Sequence, residues 1–307
     1  MSSKKYYKPA DGVYCLETLM EETNDKVCLI AAHFLFSENE IEPYSDKIDH
    51  LFNYDVCSGQ LNADNIFMTY DWYLKYADRL EKIYSKLCDD LSRDTFAAFI
   101  NQKISMKYGY LSKVKSDNVT YFGEDFLKLG SEETLVDCGA FNGDTAVDFV
   151  NFLKRHGIDT YDSIISFEPD EENYKALVSR KLKNHVCVKA GSSDKKGTVS
   201  FTSNGAGSTI CENGEYSIEL NTIDNVLNGG KATIIKMDIE GSELAALKGA
   251  RETILKYKPT LAICVYHKKA DLYEIPEYIL SLVPEYKLYF RAYYDFADDF
   301  ILYAVMP

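Results

Sequence analysis

Val136-Asp137-Cys138-Gly139-Ala140-Phe141-Asn142-Gly143-Asp144 joins a short apolar run to a polar turn bearing two glycines, and helical periodicity begins directly after it. Glycines at 139 and 143 permit a tight turn and close backbone approach. Outward from this segment, strand-like runs fall at 134–140, 163–168, 186–190, 233–238 and 261–266, with helical patterns at 145–156, 171–182, 242–256 and 272–282. Alternation of this kind implies right-handed crossovers and a parallel sheet covered on both faces. Two further strand signals, 198–201 and 216–220, interrupt the rhythm. The runs 287–292 and 300–305 are separated only by a turn-like 294–299, which permits a hairpin and therefore one antiparallel strand.

In an open α/β sheet, ligands bind beyond the carboxyl ends of the strands, where strand order reverses. The first strand ends in the quoted loop, the second in Glu168-Pro169-Asp170 and the fourth in Asp238-Ile239-Glu240-Gly241. A cofactor with a pyrophosphate normally meets G-x-G-x-x-G at the first position. Here the spacing is Gly139-x-x-x-Gly143, and Asp144 stands where the helix N-terminus would meet phosphate. A carboxylate there repels pyrophosphate and competes for the helix N–H groups. Asp137, Asp144, Glu168, Asp170, Asp238 and Glu240 make a negative rim, suited to a phosphate-free cofactor carrying a sulfonium and an ammonium group. That favours S-adenosylmethionine over NAD, with Glu168 at the interval expected for an acid that binds both ribose hydroxyls. Taken singly, each acid is equally well read as a helix cap or a solvated turn.

These segments resemble the FkbM family of class I methyltransferases. The resemblance covers roughly residues 132 to 307. It rests on the quoted loop, on Phe167-Glu168-Pro169, on Ile235-Lys236-Met237-Asp238-Ile239-Glu240-Gly241-Ser242-Glu243, on Leu247-Lys248-Gly249-Ala250 and on Val265-Tyr266-His267. It implies a Rossmann-like fold whose seven-stranded, mostly parallel sheet has the order 3-2-1-4-5-7-6 with one antiparallel strand. It also implies O-methylation of a hydroxyl, often on a sugar or a secondary metabolite. By position, Asp137, Gly139 and Gly143 would shape the methionine pocket, with Ala140 in the same loop, and Asp144 would face the cationic end of the cofactor. Glu168, followed by Pro169, would hold the ribose. The turn Ala190-Gly191-Ser192-Ser193-Asp194 would meet adenine, and Asp238 would lie beneath the transferred methyl group.

Methyl transfer from a sulfonium is an in-line displacement, so positioning the acceptor supplies much of the rate. A sugar hydroxyl is a poor nucleophile at neutral pH, and a base or a metal would help. Asp238, Glu240 and His267 are the candidates: His267 or Asp238 accepts the proton and Glu240 orients the site. A lone histidine at a strand end is also commonly a hydrogen-bonded structural residue. The same three side chains could hold Mg²⁺ or another divalent ion, but sequence fixes neither distance nor ligand count, and the metal-free reading is preferred. Glu243 reads as a helix cap near Ser242. Tyr266, Tyr289, Tyr293 and Tyr294 either line a sugar site or pack. Two other classes stay open. An NAD-dependent oxidoreductase is disfavoured by Asp144 and the loop spacing, and a non-catalytic cofactor-binding protein is disfavoured by the acidic strand ends.

The 307 residues divide in texture into a helical N-terminal region (1–116), a connector (117–131) and the methyltransferase-like region (132–307). In the first, Phe67, Tyr70, Leu74, Ala77, Leu80, Ile83, Tyr84, Leu87, Cys88 and Leu91 form a helical stripe. Asp94 is placed to cap a further helix. No strand signal or catalytic spacing stands out there; these helices suit dimerisation or acceptor recognition. A net charge of −14 leaves no extended basic field for nucleic acid or an anionic membrane, and the short basic start at Lys4, Lys5 and Lys8 is soon offset by acids. The eight cysteines show no CxxC pair, which suits a reducing compartment. With no signal-peptide core at the N-terminus and the apolar stretch 27–36 too short to span a bilayer, the expected location is cytoplasmic, and the expected partner is a small molecule or saccharide.

Overall fold

The computed structural model describes residues 26–31, 42–53, 68–105, 107, 109–202, 209–210, 216–295 and 300–307. Strands β1 (Val27–Ala31) and β2 (Ile48–Asn53) precede helices α1 (Tyr70–Tyr84) and α2 (Asp90–Ser105). Then come β3 (Thr134–Cys138), α3 (Asp144–Arg155), β4 (Ser163–Phe167), α4 (Glu171–Ser179) and β5 (His185–Val188). Four short strands follow, β6 (Gly191–Ser192), β7 (Gly197–Thr202), β8 (Thr209–Ile210) and β9 (Tyr216–Asn221), and then α5 (Ile223–Leu227). The chain closes with β10 (Ile234–Met237), α6 (Glu243–Lys248), α7 (Arg251–Tyr257), β11 (Thr260–Cys264), α8 (Asp271–Leu282), β12 (Lys287–Ala292) and β13 (Phe300–Val305).

The large sheet runs β12-β13-β11-β10-β3-β4-β5. Renumbered along the chain, that is 3-2-1-4-5-7-6, with β13 antiparallel to both β11 and β12 and the other pairings parallel. This is the Rossmann-like class I methyltransferase architecture. Every residue of β3 and β10 is buried, as strands covered by helices on both faces must be. Strand order reverses between β3 and β10, so the crevice above their carboxyl ends is where a ligand fits. The extra strand signals form a separate sheet, β6-β9-β7-β8, inserted between β5 and β10.

The N-terminal region departs from expectation in three respects. The N-terminal region contains strands, because β1 and β2 pair in parallel; their polar His50 and Asn53 hid the pattern. The apolar stripe is not one helix: α1 stops at Tyr84, and Leu74 is 55% exposed. Phe67 lies outside the described residues. The cap of α2 is Asp89, whose Oδ1 accepts the Ser92 N–H at 2.7 Å, and Asp94 sits inside the helix.

The expected helix 242–256 is two helices broken at Gly249-Ala250. A Cβ on Gly249 would stand 1.9 Å from the Ser193 carbonyl oxygen. The Asp224 carboxylate, from the start of α5, accepts the Glu252 and Thr253 N–H groups and so caps α7 from across the fold.

The helices α1 and α2 share one core with the sheet. Phe99 of α2 stacks on Phe300 at 4.0 Å, and Phe96 meets Phe290 at 5.0 Å. Each ring buried in this way contributes about 1.5–3 kcal/mol. At the same junction Arg291, itself buried, donates to Asp89 Oδ2 (2.7 Å), Ser92 Oγ (2.8 Å) and Glu124 Oε2 (3.0 Å). Glu124 Oε1 in turn accepts from Ser116 and Tyr293, and the Tyr293 hydroxyl lies 2.5 Å from that of Tyr303. Tyr303 Oη accepts the backbone N–H of Tyr121, which ties this network to the crevice.

Candidate active site

A cavity of about 580 Å³ opens above the ends of β3, β4 and β10. Several loops and elements supply its walls. The β3 loop gives Gly139, Phe141 and Asp144; β4 gives Phe167, Glu168 and Pro169; β10 and its loop give Lys236, Asp238, Ile239 and Glu240. The accessory sheet adds Ser192 and Ile218, and the segment 118–122 closes one side. Of the residues expected at the site, Gly139, Asp144, Glu168, Pro169, Ser192, Asp238 and Glu240 all reach this wall.

Asp137, Ala140, Gly143 and His267 are not on the wall. Asp137 is fully buried, with Oδ1 3.1 Å from Lys236 Nζ across the β3–β10 register that sets the two residues side by side. Burial opposes the charge on Lys236, but Asp137 and then Asp238 hold the ammonium well above the ordinary lysine range. Lys236 Nζ also donates to the Gly139 carbonyl at 2.8 Å, fixing the loop from below. Gly139 has φ +78, and a Cβ there would meet the Asp238 carbonyl oxygen at 1.8 Å. The quoted loop is therefore a glycine loop because β10 presses against it.

Glu168 is buried with both carboxylate oxygens oriented: Oε2 accepts the Phe141 N–H at 2.8 Å and Oε1 the Asp170 N–H at 2.9 Å. Burial pushes its pKa up to about 7, against the pull of those two N–H donors. Asp144 begins α3 and turns Oδ1 onto the Thr145 N–H at 2.7 Å, so a carboxylate does occupy that helix N-terminus. Asp238 accepts from Tyr266 (3.2 Å) and Tyr121 (3.4 Å).

His267 stands behind Asp238 and Glu240. Nδ1 lies 2.9 Å from Glu243 Oε1, and Nε2 lies 3.4 Å from Asp238 Oδ1. Burial disfavours its charge, yet Glu243, Asp238 and Glu240 outweigh that and raise the pKa to about 10. An imidazole that already holds its proton, and lies off the cavity wall, is poorly placed to take one from a substrate. Cys138, with its thiol pushed up to about 12 by burial, is a packing residue and no nucleophile.

Sequence reasoning missed three contributors. Tyr121, assigned to the connector, overhangs Lys236 with its ring centroid 5.5 Å from Nζ. Lys236 carries the signal that could have found it, because a lysine in an otherwise apolar strand demands a buried partner. Asn173, on α4, reaches the wall beside Glu168. Of the four tyrosines expected to line or pack, only Tyr294 lines the cavity; Tyr289 stacks on Phe126 at 4.1 Å, and Tyr293 is buried in the Glu124 network. Three non-glycine wall residues, Tyr121 (φ +67), Phe141 (φ +46) and Glu240 (φ +56), adopt left-handed backbone. Such strain costs about 1–3 kcal/mol per residue and clusters at functional sites.

Strand order and a crevice walled by the β3, β4 and β10 loops define a class I methyltransferase domain. The FkbM methyltransferase domain matches residues 137–294, more than half of the chain, and the chain belongs to that family. It is similar to the crystal structure of the methyltransferase FkbM from Methylobacillus flagellatus KT, with 27% identity and a TM-score of 0.66 over 76% of this chain and 60% of that one. This chain therefore spans about 60% of the length of that structure. An rRNA methylase from Streptococcus thermophilus matches at 14% identity and a TM-score of 0.37, covering 58% of this chain and 89% of that chain. No curated protein matches the chain. Among the described residues, no helix is long and apolar enough to cross a membrane.

Proposed function

We propose that this chain uses S-adenosylmethionine to methylate a hydroxyl of a carbohydrate or related small molecule. The observation that carries the cofactor reading is the carboxylate of Asp144 on its own helix N-terminus, in a cavity that also holds Glu168, Asp238 and Glu240. A pyrophosphate would have to displace Asp144 from the Thr145 N–H, whereas a sulfonium with an α-ammonium is attracted by the acidic wall around it. The residues fit such a cofactor in two further respects. Glu168 has its carboxylate fixed for a pair of ribose hydroxyls, and the buried Ser192 Oγ has no hydrogen-bond partner among the described residues.

When bound, the cofactor supplies an electrophilic methyl group on a positively charged sulfur. The chain's own part is to hold the acceptor and receive its proton. Asp238, anchored by Tyr121 and Tyr266, is the wall carboxylate that would take the proton of the acceptor hydroxyl. Glu240 shares the acidic face, and His267 positions both. Residues 118–122 and Tyr294 also line the cavity and are available to contact an acceptor. The test is incubation of the full chain with methyl-labelled S-adenosylmethionine and a panel of saccharides and small alcohols. Label recovered as an O-methyl ether is the expected product. Label on nitrogen or carbon only, or none with any acceptor, would contradict the hydroxyl assignment.

A further inference from the structure

The strap of residues 116–124 is closed on itself and holds Tyr121 in a backbone conformation that a tyrosine does not favour. Ser116 Oγ donates to Glu124 Oε1 at 2.6 Å, joining the two ends, and the Gly123 N–H donates to the Val119 carbonyl at 2.7 Å, tightening the turn between them. Phe122 is buried beside Phe149. Tyr121 sits in this turn with φ +67. A left-handed non-glycine residue persists only where its surroundings over-determine it. One such constraint is the phenol of Tyr303, which accepts the Tyr121 N–H at 3.1 Å. Tyr303 is fully buried on β13 and does not reach the cavity.

The hydrogen bonds beyond Tyr303 have one direction. Glu124 is buried beside Arg291, whose Nε donates to Oε2 at 3.0 Å, and a carboxylate so paired can only accept. Tyr293 therefore gives its single hydroxyl hydrogen to Glu124 Oε1, 3.0 Å away. The 2.5 Å contact between the two phenols is then filled by the Tyr303 hydrogen, which points to Tyr293 Oη. Burial pushes both phenols above the ordinary tyrosine range, so each keeps the proton this arrangement needs. The chain runs from the Tyr121 N–H through Tyr303 and Tyr293 to Glu124, and donors aligned in this way polarise one another. Its anchor, Arg291, also donates to Asp89 and Ser92 at the start of α2.

We infer that Tyr303 is a positioning residue for methyl transfer: its hydroxyl sets Tyr121, and Tyr121 in turn sets Asp238. On the cavity wall the Tyr121 hydroxyl donates to Asp238 Oδ2 at 3.4 Å, and its ring centroid lies 5.5 Å from Lys236 Nζ. Neither Tyr293 nor Tyr303 lines the cavity, so each acts through Tyr121. The N-terminal helices bear on the site by the same route, since α2 shares the Arg291 guanidinium with Glu124. The role in transfer rests on the reading of Asp238 as the acceptor's base; the placement of Tyr121 by Tyr303 does not.

Amide hydrogen exchange of the full chain, resolved at Tyr121, reads that placement without any acceptor. Tyr303→Phe keeps the ring and removes the accepting oxygen, so the Tyr121 amide is expected to exchange roughly 3–10-fold faster. Tyr293→Phe cuts the chain one link further away and should give a smaller increase. An unchanged Tyr121 amide in Tyr303→Phe would overturn the inference; should that variant not fold, an unchanged amide in Tyr293→Phe would do so. Single-turnover transfer from methyl-labelled S-adenosylmethionine, to whichever saccharide or alcohol of the panel the parent methylates, tests the consequence. Tyr303→Phe and Tyr121→Phe are each expected to slow the step about tenfold with cofactor affinity unchanged, and the double variant should be no slower than either. Losses that multiply in the double variant would overturn the positioning role. If the parent methylates no member of the panel, the proposed function is contradicted and the role in transfer with it, while faster exchange still establishes Tyr303 as the group that holds Tyr121.

Discussion

Asp238→Asn is expected to lower the methyl-transfer rate by roughly 10²–10⁴-fold while leaving cofactor affinity near that of the parent. The amide keeps the shape of the carboxylate and one oxygen for Tyr121 or Tyr266, so the wall stays in place. What it removes is the group placed to receive the acceptor proton and the charge facing the reacting centre. Single-turnover kinetics with labelled cofactor measure this directly. A rate close to that of the parent would take Asp238 out of the chemistry, whereas an equal loss in cofactor binding would make it a binding residue.

Arg291→Ala is expected to destabilise the fold by about 3–5 kcal/mol, because it strands the buried carboxylate of Glu124. For a chain of this size that corresponds to a melting temperature lower by roughly 10 °C. Glu285→Ala, which removes the exposed partner of Lys258, is the control and should leave the melting temperature close to that of the parent. Arg291 joins Asp89 at the start of α2 to Glu124 in the segment before β3. The N-terminal helices and the sheet of the parent chain should therefore melt in one transition. Two separate transitions in the parent chain would show that residues 68–105 form an independent unit.

The sheet was legible because its strands are apolar on both faces and its helices are not, a contrast that survives without any knowledge of contacts. The hairpin strands β12 and β13 have the bounds their apolar runs suggested. Features set by remote partners were not legible. Gly249 breaks a helix because the Ser193 carbonyl passes beside it, and Asp224 caps α7 from another element. Asp89 and Asp94 look alike in sequence, and only Asp89 stands at the helix start with Arg291 within reach.

At the site, Asp144, Glu168, Asp238 and Glu240 reach the cavity wall from the strand ends, whereas Asp170, expected in the same rim, turns back to cap α4 by accepting the Glu172 and Asn173 N–H groups. The depth of each was not readable. Asp137 and His267 lie one layer behind the wall, with Lys236 and Glu243 as partners. Tyr121 reached the site through a left-handed turn that its sequence gives no reason to expect.

The central claim is that the acidic cavity takes a sulfonium cofactor and not a pyrophosphate one. Calorimetric titration of the full chain with S-adenosylmethionine and with NADH, repeated on Glu168→Ala, tests it most directly. One saturable S-adenosylmethionine site is expected, weakened roughly 10–100-fold by the loss of the ribose-facing carboxylate, with no measurable NADH binding. Tight NADH binding without S-adenosylmethionine binding would contradict the account.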